Sequence, residues 1–195
     1  MSSHPTNIQR TLPPREEQLA LLHEHTEGAG LRKHALAVEA AMRGYARRLG
    51  GDEPLWAAVG LLHDFDYERH PTPEEHPRFG CRILEERGFP REMLEAILGH
   101  ASYTGTPRVT PLAKALYAVD ELCGLIVATA LVQPDRTLAE VTPDSVIRKM
   151  KSKGFARSVN REEIARGAEE LGVPLEEHVA FVLAALQCEA EALGL

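Results

Sequence analysis

The sequence predicts an all-α protein, on three observations. Aromatic residues make up only 5% of the chain, apolar residues recur at spacings of three and four, and the alternation expected of a half-buried strand is absent. At 195 residues, 44% of them hydrophobic, the chain has the size of one domain and enough apolar material for a real core. A first helix is predicted from about Pro14, since proline is tolerated at the first helical position, to His25, where TEGAG punctuates it. The second runs from about Leu31 to Leu49 and stops at Gly50-Gly51; Leu31, Ala35, Val38, Met42 and Tyr45 share one face, and His34 lies on that buried side. A third spans about Glu53 to His63, after which DFDYERHPTPEE, with two prolines and many charges, is a loop. GFP separates helices at about Pro77 to Arg87 and Arg91 to Ala101, and a polar turn with Gly105 and Pro107 leads into a long, deeply buried helix from Pro111 to about Val132. Beyond Gln133-Pro134 come a short helix from Pro143 to Lys151, one starting at Asn160 with Glu163 as its capping-box partner, and a last one from Pro174 to about Leu193.

Charge and composition exclude several functions. The net charge of -7 argues against a surface that neutralises nucleic-acid phosphates or anionic lipid. MSSHPTNIQR has no apolar core for a signal peptide, and the longest greasy run, LCGLIVATALV, has only 11 residues, so neither export nor a membrane span is expected and the expected location is cytoplasmic. Cys81, Cys123 and Cys188 are odd in number and form no CxxC pair; they are expected to be small core residues in a reducing compartment.

Chemistry concentrates in a few buried polar positions: His34, His63-Asp64, His100 and Asp120, with His76 at the start of the fourth helix. Asp120 falls four residues after Leu116 and three before Cys123, so its carboxylate points inward, where an unpaired charge is costly. A lysine or arginine partner would remove that cost, and so would a divalent cation. Adjacent helical residues diverge by about 100°, so His63 and Asp64 share no face, but at a helix end both can close on one ion while the second aspartate oxygen reaches another. Imidazole with carboxylate and no thiolate suits iron, manganese, zinc, cobalt, nickel or magnesium. Taken singly, His34 or His100 would be a satisfied core histidine; together, on separate helices, they point to a metal. His4, His23, His25, His70 and His178 are expected to be surface or local residues, with His70 the substitute should His76 fail as a ligand.

The order His34, His63-Asp64, Asp120 over residues 30 to 130 resembles the H…HD…D pattern of HD-domain metalloproteins. HDFDYERHP, followed by HPRFG and ILGHA, looks closest to the HDIG-like branch of that family. The resemblance implies an all-α HD-domain bundle with added C-terminal helices: an N-terminal helix at 1–28, the metal-binding core at 29–133 and a helical extension at 134–195 packed on it as one compact unit. It also implies one or two divalent ions, with His34, His63 and Asp120 on the first, His76 and His100 on the second, and Asp64 bridging. The chain departs from the branch at Asp66 and Tyr67, at Ala101 after His100, and in lacking a GYP signature, which leaves the substrate open.

Such a site supports hydrolysis of a small phosphate ester by metal-activated water. Asp64 would orient the water, and Asp66, Tyr67 or Glu68 would handle leaving-group protons or support the metal ligands from behind. Arg148, Lys149, Lys151, Lys153, Arg157 and Arg161 form a basic segment that is either a solvated face or a clamp for an anionic phosphorylated substrate, with Lys149 and Lys153 together by their i, i+4 spacing and Arg161 nearby. Phe155, among them, is expected in the core. Two other functions fit the same residues: a mixed-valent di-iron oxygenase, as some HD-fold proteins are, and a metal-stabilised ligand-binding module without turnover. The C-terminal helices offer apolar faces for a possible homodimer.

Overall fold

The computed structural model describes residues 12–195; His4 and the N-terminal segment weighed above as a signal peptide lie outside the described residues. Among those described, ten α-helices and two short 3-10 turns form and no strand does. The helices are α1 (Arg15–His25), α2 (Ala29–Leu49), α3 (Glu53–Leu62), α4 (Arg78–Glu86), α5 (Arg91–His100), α6 (Pro111–Leu131), α7 (Pro143–Met150), α8 (Arg161–Leu171), α9 (Leu175–Cys188) and α10 (Ala190–Leu193). No single described helix is long and apolar enough to cross a membrane.

Helix α6 is the axis of the bundle. Leu116, Val119, Leu122, Leu125 and Ile126 are fully buried along it, and α2, α5, α7, α8 and α9 all pack against it. Helix α3 lies on α2 at a close crossing, where a Cβ on Gly60 would come within 2.8–2.9 Å of the backbone of Val38 and Glu39. A larger residue there would push apart the two helices that carry His34 and His63. Glu39 on α2 is buried, but Arg15 grips both of its oxygens at 2.7 and 2.8 Å and Arg43 adds a third contact at 2.8 Å. The charge is therefore neutralised and α1 is tied to α2.

Several expectations are corrected. The last predicted helix is broken at Glu189, whose φ of -111° and ψ of 18° end α9 before α10 begins. Asn160 caps α8 by accepting from the Glu162 and Glu163 amides at 3.1 and 3.3 Å, but Glu163 accepts from the Ser102 hydroxyl instead of closing a box. A reciprocal box does form at Thr142 and Ser145. Helix α7 ends at Met150, so Lys153 sits in an exposed turn beyond it and shares no helical face with Lys149. Phe155 is half-buried against the core, with the Lys149 ammonium 4.5 Å from its ring centroid. Cys81 and Cys123 are buried as expected, whereas Cys188, at the end of α9, is exposed.

His178, expected at the surface, is fully buried. Tyr45 Oη donates to its Nδ1 at 2.6 Å and its Nε2 donates to the Ala118 carbonyl at 2.8 Å, so α9 is pinned to α2 and α6 by one imidazole with both nitrogens satisfied. Burial lowers its pKa, keeping the ring neutral. Replacing Tyr45 by Phe strands Nδ1 without a donor and should cost about 1–3 kcal/mol. Equilibrium urea unfolding checks this; a midpoint unchanged from the parent would show that the pair contributes nothing.

Candidate metal centre

Six side chains from five places in the fold meet where the helix ends of α3 and α5 face α2 and α6. His34 comes from the second turn of α2, His63 is the C-cap of α3 with Asp64 next to it, His76 stands just before α4, His100 ends α5, and Asp120 comes from the middle of α6. Two of the histidines use the same local device. His63 Nδ1 donates to the Gly60 carbonyl at 2.8 Å, and His100 Nδ1 donates to the Ile97 carbonyl. Each carbonyl lies three residues back in a last helical turn, where carbonyls lack intrahelical partners. Both rings are thus held in the tautomer that leaves Nε2 as a bare acceptor facing inward. His76 reaches the same state through Asp66, which receives its Nδ1 proton at 2.7 Å while the other Asp66 oxygen accepts from the Gly80 amide at 2.7 Å. Gly80 is required there, because a Cβ would fall 2.9–3.0 Å from the Asp66 carboxylate.

The inward atoms form two sets that share Asp64. Around Asp64 Oδ2 stand His63 Nε2 at 3.4 Å and His34 Nε2 at 4.0 Å, and Asp120 Oδ1 lies 2.9 Å from His34 Nε2 and 3.4 Å from His63 Nε2. Around Asp64 Oδ1 stand His76 Nε2 and His100 Nε2, each at 3.2 Å and 3.4 Å from one another. Donors bound to one ion at about 2.1 Å and separated by about 90–110° lie roughly 3.0–3.4 Å apart, so the spacings suit a metal. Hydrogen bonding does not satisfy the cluster: His63 Nε2 and Asp64 Oδ1 are buried without a partner, and two imidazole acceptors face each other across the second set. A divalent cation removes both penalties, and the sets His34, His63, Asp64, Asp120 and Asp64, His76, His100 could each hold one.

In the metal-free chain protons take that place. Burial opposes a charge on His63, but Asp64 and Asp120 outweigh it and hold its pKa well above the ordinary 6.5. Burial likewise opposes a charge on His76, yet the neighbouring carboxylates of Asp64 and Asp66 raise it to about 9. Asp64 and Asp120 resist burial in the same way, held below the usual carboxylate range by His63 and, respectively, His100 and His34.

A pocket of ≈ 330 Å³ opens onto the donors. Beyond them its wall carries Tyr67, Tyr103, Glu121, Glu163, Ser102 and Ser158. Burial, with Asp120 next in effect, pushes Glu121 up to about 7. Two expectations change here and one narrows. Asp66 is fully buried with both oxygens engaged, so of its two expected roles it takes that of supporting a ligand, His76, and has no route to a leaving group. Glu68 accepts from the Gly28 amide at 3.1 Å, which caps α2 and removes it from proton transfer. Lys149, Lys153 and Arg161 do not line the pocket; α7 ends before Lys153, and the Arg161 guanidinium is turned onto the carbonyls of Phe155, Ala156 and Val159. His70 is stacked on Phe79 with its Nδ1 3.2 Å from Glu75, outside the donor sets. Glu121 and Glu163 were not singled out by the sequence as wall residues. Glu121 is masked by its neighbour Asp120, and the capping signature at Asn160 gave Glu163 another role.

Among known families, the model of the HD domain matches residues 31–125. No curated protein and no solved structure matches the chain. The matched stretch contains all six donors, from His34 to Asp120.

Replacing Asp66 by Asn should lower metal affinity about 10–100-fold by loosening His76, read by competition with a fluorescent chelator; unchanged affinity would remove its positioning role. Metal uptake at pH 7 should release about two protons, from His63 and His76, read by calorimetry in buffers of different ionisation enthalpy. The linkage has a definite sign. In the chelator-treated protein the raised histidines stabilise fully below pH 6.5 and lose this as pH rises through their folded values, about 9 for His76. The thermal midpoint should therefore fall between pH 6.5 and 9 without metal and hold with it. Equal slopes in both states would contradict the protonation scheme.

Proposed function

Residues 31–125 of the chain are an HD domain, and from that premise we propose that the protein is a metal-dependent phosphohydrolase that cleaves a small phosphate ester with water. HD domains are mostly metal-dependent hydrolases. The observation that carries the reading is Asp64, which turns one oxygen to each donor set and leaves Oδ1 buried without a hydrogen bond. A carboxylate shared in this way suits a pair of neighbouring cations. His34, His63, Asp64 and Asp120 would hold one divalent ion, and Asp64, His76 and His100 a second. Such ions, when bound, supply Lewis acidity toward a phosphoryl oxygen and lower the pKa of water.

The remaining work falls to the chain. The Gly60 and Ile97 carbonyls and Asp66 fix three imidazoles before substrate arrives, so little reorganisation accompanies the reaction. Tyr103 lines the pocket, and burial followed by the charge of Asp64 pushes its pKa up to about 12. Its hydroxyl keeps the proton at neutral pH and can donate it in a hydrogen bond to a phosphoryl oxygen. In the overall step the water oxygen bonds to phosphorus, the bond from phosphorus to the leaving oxygen breaks, and the departing alkoxide takes up a proton.

His63→Ala and Asp64→Ala should lose bound metal and phosphate release together, the latter by at least about 100-fold, beyond what loss of an outer partner costs. Cys188→Ser, at an exposed site on α9, should keep both. Elemental analysis and a malachite-green assay check this. Manganese-loaded protein that released no phosphate from nucleotides, cyclic nucleotides or sugar phosphates would refute the reading.

A further inference from the structure

The donor sets explain the floor of the pocket, and its wall has a different character. Among the described residues no lysine or arginine lines it; Tyr67, Tyr103, Glu121 and Glu163 do. Several arginines close in sequence to the pocket's segments are committed elsewhere, while Arg157, beside the wall residue Ser158, is exposed and does not line the pocket. Arg161 holds three backbone carbonyls, Arg108 pairs with Glu170 at 2.7 and 2.8 Å, and Arg78 holds the carbonyls of Pro73 and Thr104. Each wall carboxylate uses one oxygen internally: Glu121 Oε2 accepts from the Asn160 amide at 3.0 Å and Glu163 Oε1 from the Ser102 hydroxyl at 3.4 Å. The second oxygen of each is left for a ligand. The two phenol rings are partly open, with Tyr67 41% and Tyr103 51% exposed.

Charge decides what such a wall receives. Two divalent ions bring four positive charges against the three negative ones of Asp64, Asp120 and, behind His76, Asp66, so a phosphate dianion already exceeds the one positive charge that remains. The Glu163 carboxylate lies beyond that balance, and Glu121 adds to it only in part, since burial and then Asp120 push its pKa up to about 7. A second phosphate or carboxylate on the substrate would be repelled by them, whereas a cation meets opposite charge and aromatic faces together. The pocket floor would receive the anionic group through bound cations, which the unpartnered acceptors Asp64 Oδ1 and His63 Nε2 call for. We propose that the substrate is a small phosphate monoester bearing an ammonium group, its phosphate at the donor sets and its ammonium among Tyr67, Tyr103, Glu121 and Glu163. This rests on the phosphohydrolase reading for the position of the phosphate. A cavity of ≈ 330 Å³, at the small end of ligand sites, agrees with a short aminoalkyl ester.

The test compares three probes that share a phosphate: phosphoethanolamine, glycerol 3-phosphate and 2-phosphoglycolate. Calorimetric titration into manganese-loaded protein should give binding tightest for phosphoethanolamine, by at least about tenfold over glycerol 3-phosphate, and weakest for phosphoglycolate. In Glu163→Gln and in Tyr103→Leu, each first checked for an unaltered thermal midpoint, that ratio should fall below about threefold. Equal binding of the three, tighter phosphoglycolate, no binding of any, or a ratio unmoved in both variants would overturn the proposal. The two readings fail separately. A tenfold preference without phosphate release sinks hydrolysis and keeps the ligand class; equal kcat/KM on all three esters keeps hydrolysis and sinks the ligand class.

Discussion

The structure depends on one shared carboxylate. Asp64 sits where α3 ends, turns Oδ2 toward His34, His63 and Asp120, and turns Oδ1 toward His76 and His100. Removing such a charge from water without full pairing costs several kcal/mol in practice, and here the pairing is with imidazole nitrogens whose own tautomers leave them acceptors. Bare acceptors around a bare carboxylate repel. Either protons or cations must be present for the bundle to close, and this requirement links the stability of the fold to the chemistry of the site.

The supporting architecture follows from that need. Helix ends supply unpaired carbonyls, and His63 and His100 use them to fix their rings without recruiting other side chains. His76, on an irregular segment, has no such carbonyl and takes a buried aspartate in its place, which in turn requires a glycine at position 80. His34 comes from the second turn of α2 and Asp120 from the middle of α6, two long helices with buried faces, so the first donor set is held by packing. The two sets therefore differ in rigidity. The first rests on the core, and the second rests on Asp66 and the turns before α4.

Much of this was legible in the sequence because it is periodic. The spacing of apolar residues, with proline and glycine at the ends, located the helices to within a residue or two except for the break after Cys188, and a charged or polar residue on a buried face, such as Asp120, announces itself by the cost of its position. What the sequence concealed were contacts between distant segments. Asp66 looks like a loop acid until His76 and the Gly80 amide are seen to use both its oxygens. His178 has the surroundings of a surface residue on α9, and only the approach of Tyr45 and Ala118 buries it. The Asn160 to Glu163 spacing fits a capping box, but Ser102 from another segment takes the glutamate. The basic run from Arg148 to Arg161 suggested a clamp because charge along a chain carries no direction. In the fold α7 stops early and Arg161 turns back to stabilise its own turn.

The central claim is that these six donors converge because divalent cations neutralise them. Crystals grown with manganese, with anomalous data collected near its absorption edge, test it most directly. The account predicts one anomalous peak among His34, His63, Asp64 and Asp120, and a second among Asp64, His76 and His100, with Asp64 between them. A well-ordered map with the six side chains in place and no anomalous signal between them, at saturating metal, would contradict it.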